Sequence, residues 1–251
     1  MSKTTIIWLI TAASLVVLGL IMFTAVMTAY HWDFTKLSTV KYETNTYQVS
    51  EAFNNISMKT KTADILFAPS DDGICRVVCH EMKKAKHSAV VQDGTLTINV
   101  VDERKWYEYI GITFGTPKIT VYLPEAEYTS LFIKESTGVI EIPKDFSFES
   151  IDILTSTGDV KNYASASDVM KIKTSTGGIR VENVSAGTLE LSVSTGKVIA
   201  ESITCEGNVK INVSTGSTQL TDVSCKTLIS DGSTGGIYVS YTHIRANENP
   251  E

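Results

Sequence analysis

Six copies of the tripeptide Ser-Thr-Gly begin at Ser136, Ser156, Ser175, Ser194, Ser214 and Ser233, at spacings of 20, 19, 19, 20 and 19 residues. A fixed period of this size marks stacked structural repeats. The surroundings repeat too. Five and three residues before each Ser stand pairs such as Leu131 and Ile133, Met170 and Ile172, or Leu189 and Leu191, with Ser230 breaking the series. Four and six residues after it stand Ile140 and Ile142, Ile179 and Val181, or Val198 and Ala200, with Asn162 and Thr218 as polar exceptions. Apolar residues at every second position are the pattern of a half-buried strand.

Each tripeptide is then a corner between two strands. Gly138, Gly158, Gly177, Gly196, Gly216 and Gly235 supply the backbone freedom, and the Ser and Thr hydroxyls are placed to satisfy corner amides. Two short strands and two turns fill one unit. A single unit cannot bury its apolar face, whereas stacked units share a continuous core. Equivalent residues should stack about 4.8 Å apart. The expected fold is all-β: a β-solenoid, right-handed and β-helix-like, with 19–20 residues per coil over 131–239, after one N-terminal transmembrane helix. A meander of antiparallel hairpins is the competing reading.

Residues 1–5 form a short start, expected to be cytoplasmic, and 6–29 are 24 residues without a charge. About 20 suffice to span a bilayer. Trp8 lies near one end and Tyr30 and Trp32 near the other, as interfacial belts require. A cleaved signal peptide has a shorter apolar region, so an uncleaved single-pass anchor is expected. Lys3 before the helix and Lys36 and Lys41 after it nearly balance. The short leader and the Ser/Thr-rich repeats favour an extracytoplasmic solenoid at the cell membrane.

Residues 30–50 read as a stalk, 51–130 as degenerate first coils and a hairpin, and 240–251 as a polar tail. Ile56 and Met58, then Lys61-Thr62-Ala63, then Ile65 and Phe67 imitate one repeat, read here as the first coil. Asp93-Gly94 is a hairpin signal. Lys83, Lys84, Lys86 and His87 read as a solvated basic loop. Trp106, Tyr107 and Tyr109 either pack over the open solenoid end or form a stacking platform for a ligand. The tail after Val239 either covers the last coil or leaves it as an assembly surface.

A net charge of −6 and a pI near 5.3 argue against nucleic acid as a partner. Cys205 and Cys225 each stand eleven residues after a repeat Ser. They are close enough for a disulfide, or serve as small buried apolar residues, which is the preferred reading. No Cys/His spacing indicates zinc, and there is no phosphate loop or nucleophile elbow, so no metal, cofactor or catalytic residue is expected. Glu182 and Glu201 occupy equivalent repeat positions and would stack as like charges. Asp159, Lys161 and Arg180 on neighbouring coils read as surface ion pairs.

The repeated corners of the form I-x-x-S-T-G-x-[IV]-x-[IV], with Met58-Lys59-Thr60-Lys61-Thr62-Ala63-Asp64-Ile65 as a first coil, resemble the bacterial adhesin-type family DUF4097. Pro117-Lys118-Ile119-Thr120-Val121-Tyr122-Leu123-Pro124 is similar to its clostridial members. The resemblance covers about 45–245 and implies a β-solenoid on the cell envelope, with no established catalytic residues to carry over. The function expected is non-enzymatic: adhesion to glycan, cell-wall polymer or an envelope protein, or envelope-stress sensing. The alternatives are a scaffold that assembles through its solenoid end and, less favoured, a polysaccharide-active enzyme.

Overall fold

Side chains that cannot tolerate water and side chains that repeat every second residue fall in different parts of this chain. The computed structural model describes residues 2–38, 40–109 and 115–244. Contacts divide it into two units: Met1–Lys41 with Arg104–Gly115, and Tyr42–Glu103 with Thr116–Glu251.

The first unit contains α1 (Lys3–Ala29), with Ser2 as its N-cap accepting from the Thr5 amide. The helix is apolar on every side and long enough to cross a membrane. Four of its hydroxyls are satisfied within the helix. The hydroxyls of Thr11, Ser14, Thr24 and Thr28 donate to the carbonyls of Ile7, Ile10, Leu20 and Thr24 at 2.8–2.9 Å, as an apolar surrounding demands.

The second unit is built of strands: β1 (Tyr42–Val49), β2 (Asn55–Lys59), β3 (Asp64–Pro69), β4 (Cys75–Met82), β5 (Ala85–Gln92), β6 (Thr95–Asp102), β7 (Lys118–Leu123), β8 (Glu127–Thr137), β9 (Ile140–Ile142), β10 (Ser147–Thr157), β11 (Val160–Asn162), β12 (Ser165–Cys205), β13 (Asn208–Cys225) and β14 (Thr227–Ile244). It is a β-solenoid of about six turns. Equivalent residues of successive repeats pair in parallel: Leu131 with Ile151, Ile151 with Met170, Leu189 with Val209, and Val209 with Leu228. The antiparallel meander is thereby excluded for the repeats.

The pairing runs through the corners, where Gly196 pairs with Gly216 and Gly216 with Gly235. Gly158 has φ +134° and Gly196 φ +148°, and a Cβ on either would stand 1.8 Å from the carbonyl oxygen of the glycine one coil below. The tripeptide ends in glycine because the corners stack backbone on backbone. The corner amides are satisfied by the next coil's backbone, as in Gly138 N–H to Thr157 O at 3.1 Å and Gly158 N–H to Thr176 O at 2.9 Å. The Ser and Thr side chains of the tripeptide, expected to cap those amides, point to solvent instead.

Each regular coil also has a side that the two-strand expectation lacked. Asn183, Ser202 and Asp222 have φ of 53–55° and turn the chain a second time. After them Val184 and Ala186, Ile203 and Cys205, and Val223 and Cys225 face inward. The core is a continuous column of such pairs, including Leu131, Ile133, Ile153, Ile172, Leu191 and Ile211.

The coil of β2 and β3, expected to be first, is enclosed on both sides. β2 pairs with β8 and with β6, and β3 with β9 and with β7. Strands β6 and β7 make the outer coil, although they follow later in sequence. Antiparallel strands cover that coil in turn: β5 lies on β6, β4 on β7, and β1 on β4. The segment 30–50 thus includes a sheet strand, β1. Asp93 and Gly94, with φ of 49° and 70°, form the expected hairpin turn between β5 and β6.

Candidate functional site

Between Asp102 and Lys118 the chain leaves the outer coil at the position that Ser-Thr-Gly occupies in the regular ones. Among the described residues it forms a 3-10 turn, Trp106–Tyr109. The turn is closed locally: the Glu108 amide donates to Lys105 O, and the Glu108 carboxylate accepts from the Lys105 amide, both at 2.9 Å. Trp106 is 77% exposed, Tyr107 51% and Tyr109 53%. Trp106 and Tyr107 meet edge to face, and the Arg104 guanidinium sits 4.4 Å from the Tyr109 ring centre. These rings are presented to solvent by a tight turn. Arg104–Gly115 belongs to the same compact unit as the apolar helix. The remainder of the segment, 110–114, lies outside the described residues, as does the tail 245–251.

A second polar group lies inside the fold. Position 87, read from sequence as part of a solvated basic loop, is buried. Alternation along β5 turns His87 inward, while Lys86 turns outward to Glu43 at 2.6 Å. His87 Nδ1 is 2.7 Å from Glu81 Oε2, which also accepts from the His87 amide at 2.5 Å. The Asn45 amide donates to Glu81 Oε1 at 2.7 Å, and the Tyr47 hydroxyl donates to His87 O at 2.5 Å. Cys79, two residues before Glu81 and therefore on the same face of β4, completes the group. The sequence signal was present in the inward alternation of Cys79 and Glu81, with His87 beyond a two-lysine turn. Reading the four basic positions as one solvated loop hid it.

A third feature follows the inner side of the corner. The residue before each of the first five Ser is buried: Glu135, Thr155, Thr174, Val193 and Val213; Gly232, before the sixth, is exposed. Burial pushes the Glu135 carboxyl up to about 8, against the opposing hydrogen bond from the Ala63 amide. Burial likewise pushes the Cys75 and Cys79 thiols up to about 12.

The remaining sequence candidates resolve into ordinary surface and core chemistry. Cys205 and Cys225 are buried and not joined by a disulfide, one rung beyond the Thr204–Ser224 pair, and the Cys205 thiol donates to Gly187 O at 3.3 Å. Glu182 does not stand as a free like-charge partner of Glu201, because Arg180 in its own coil donates to it. Lys161 pairs with Glu141 at 3.6 Å, and Asp159 accepts from the Gly178 amide at 2.6 Å. The expected ion pairs among Asp159, Lys161 and Arg180 are thus replaced by other partners.

The match to a family model decides what this solenoid is. The Toastrack DUF4097 model matches residues 53–249. The chain belongs to the Toastrack DUF4097 family. The Toastrack coils therefore include the outer coil, the enclosed coil and all six Ser-Thr-Gly repeats. Among solved structures, a "putative adhesin" from Bacteroides fragilis is similar at 18% identity and a TM-score of 0.48, over 80% of this chain and 97% of that one. A "putative adhesin" from Parabacteroides distasonis is similar at 14% identity and 0.43, over 81% and 98%. A "putative cell adhesion protein" from Clostridium sporogenes is similar at 10% identity and 0.36, over 80% and 99%. No curated protein matches the chain.

Proposed function

We propose that this Toastrack protein is a single-pass, non-enzymatic envelope protein. Its solenoid stands on the extracytoplasmic side, and its aromatic turn binds glycan or cell-wall polymer. The observation that carries this reading is the exposed Trp106–Tyr107–Tyr109 turn, grouped in one unit with a helix apolar enough to be its anchor. Flat aromatic faces offer sugar rings large apolar contact area at little entropic cost. Within the solenoid, the Ser and Thr side chains of the corners are exposed and repeat about every 4.8 Å.

The test uses the full chain in lipid nanodiscs, sedimented with purified peptidoglycan, anionic cell-wall polymer or neutral glycan. Saturable binding to one of these is expected, and it should fall at least tenfold in a Trp106→Ala/Tyr107→Ala variant with an unchanged circular-dichroism spectrum. Equal binding by that folded variant would remove the aromatic turn from the site. No binding by the wild type would remove the polymer.

A second reading, a scaffold that assembles through the solenoid end, is favoured by one observation. Ile229, Ile237, Tyr238 and Val239 of β14 are 47–65% exposed. Among the described residues, β14 pairs only with β13, whereas the opposite end of the stack is covered by β1, β4 and β5. An uncovered strand edge is a template for another strand.

A further inference from the structure

We propose that Cys79, Glu81 and His87 form a buried binding site for a divalent cation of the zinc class. Cys79 Sγ, a Glu81 carboxylate oxygen and a His87 ring nitrogen all lie within 4.8 Å of one another, and all three residues are buried. Ligand atoms 2.0–2.3 Å from a common tetrahedral ion are separated by roughly 3.3–3.8 Å, so modest side-chain movement closes the set.

Donor chemistry selects the ion. Sulfur, imidazole nitrogen and carboxylate oxygen together suit zinc and its neighbours, whereas calcium and magnesium require oxygen alone. Charge selects it independently. A thiolate and a carboxylate bring two negative charges, which one divalent ion cancels inside a region that water does not reach.

Two further features point to a ligand. His87 Nε2 is buried and has no hydrogen-bond partner, and an orphaned ring nitrogen of this kind is costly unless something binds it. Outer contacts that orient ligands are also in place. Asn45 holds Glu81 Oε1 at 2.7 Å, and Tyr47 fixes the backbone of His87 at 2.5 Å. Such contacts are what keep metal ligands in position. The site lies where β1, β4 and β5 cover the outer coil. A cation there would pin the hairpin that closes the solenoid.

Cobalt(II) is the probe, added to the full-length protein purified in detergent with its thiols reduced. One cobalt per chain should bind and give a thiolate-to-cobalt charge-transfer band, which zinc abolishes. The band should vanish in Cys79→Ser and weaken in His87→Gln. It should persist in Cys75→Ser, which removes the other buried thiol of β4. If Cys79→Ser does not fold, the wild type decides: zinc, but not magnesium, should raise its unfolding midpoint by several degrees. A folded wild type without the band, a band that survives in Cys79→Ser, or a midpoint unmoved by zinc overturns the proposal.

Discussion

The Ala63 amide donates to Glu135 Oε1 across 3.2 Å, joining two coils whose residues are 72 apart in sequence. The other carboxyl oxygen, Oε2, is buried without a partner, as is the hydroxyl of Thr60 in the adjoining coil. Burial raises the Glu135 pKa from 4.5 to about 8. The folded state therefore holds a proton that the unfolded chain has lost between these values. This contribution to stability is complete below pH 4.5 and is lost as pH rises through about 8. Each unit of mismatch corresponds to about 1.4 kcal/mol. Glu135→Gln should leave thermal stability little changed at pH 5 and raise it at pH 9. Parallel unfolding curves for the two proteins across this range would contradict the assignment.

Gly158 is a corner residue fixed by its neighbour, with a Cβ position 1.8 Å from Gly138 O. Gly158→Ala should cost roughly 3 kcal/mol or more, through strain and through separation of the coils. Gly73→Ala, also at positive φ but with nothing within 4 Å of its Cβ, should cost about 1 kcal/mol. Chemical denaturation of both variants measures the difference. Equal losses would show that φ alone, and not stacking, selects glycine at the corners.

All four cysteines are buried thiols. A maleimide should label none of them in the native protein and all four after denaturation, with or without prior reduction. Two labels lost without reduction would reveal a Cys205–Cys225 bridge.

If the last coil mediates assembly, its exposed apolar edge is the contact. Ile237→Lys and Val239→Lys, both at exposed positions, should then shift sedimentation from dimer to monomer at micromolar concentration without changing the unfolding midpoint. A wild type that is already monomeric would remove the scaffold reading.

The regular coils were legible in the sequence because one tripeptide fixes both the corner and, through strict stacking, the register. The third side of the coil was less so: its turns are made by Asn183, Ser202 and Asp222, which share no residue type. The order of the first coils was not legible at all. The pairing of Met58 with Ile98 on one side and Ile133 on the other depends on strands far apart in the chain, and no local pattern records it. His87 was hidden for a related reason. A position between lysines reads as surface until the hairpin sets which face of β5 turns inward. Trp106, Tyr107 and Tyr109 stand out in the sequence as an aromatic group, but their exposure is read from the structure alone.

Trp106 can be watched by itself, because the chain has only two other tryptophans, Trp8 and Trp32. With both replaced by Phe, the full chain in nanodiscs reports on the aromatic turn through one fluorophore. The account predicts that aqueous iodide quenches Trp106 when no polymer is present, and that peptidoglycan, anionic cell-wall polymer or glycan shields it saturably. Shielding by none of these polymers, together with quenching by brominated lipid, would contradict the account and assign the turn to the bilayer surface.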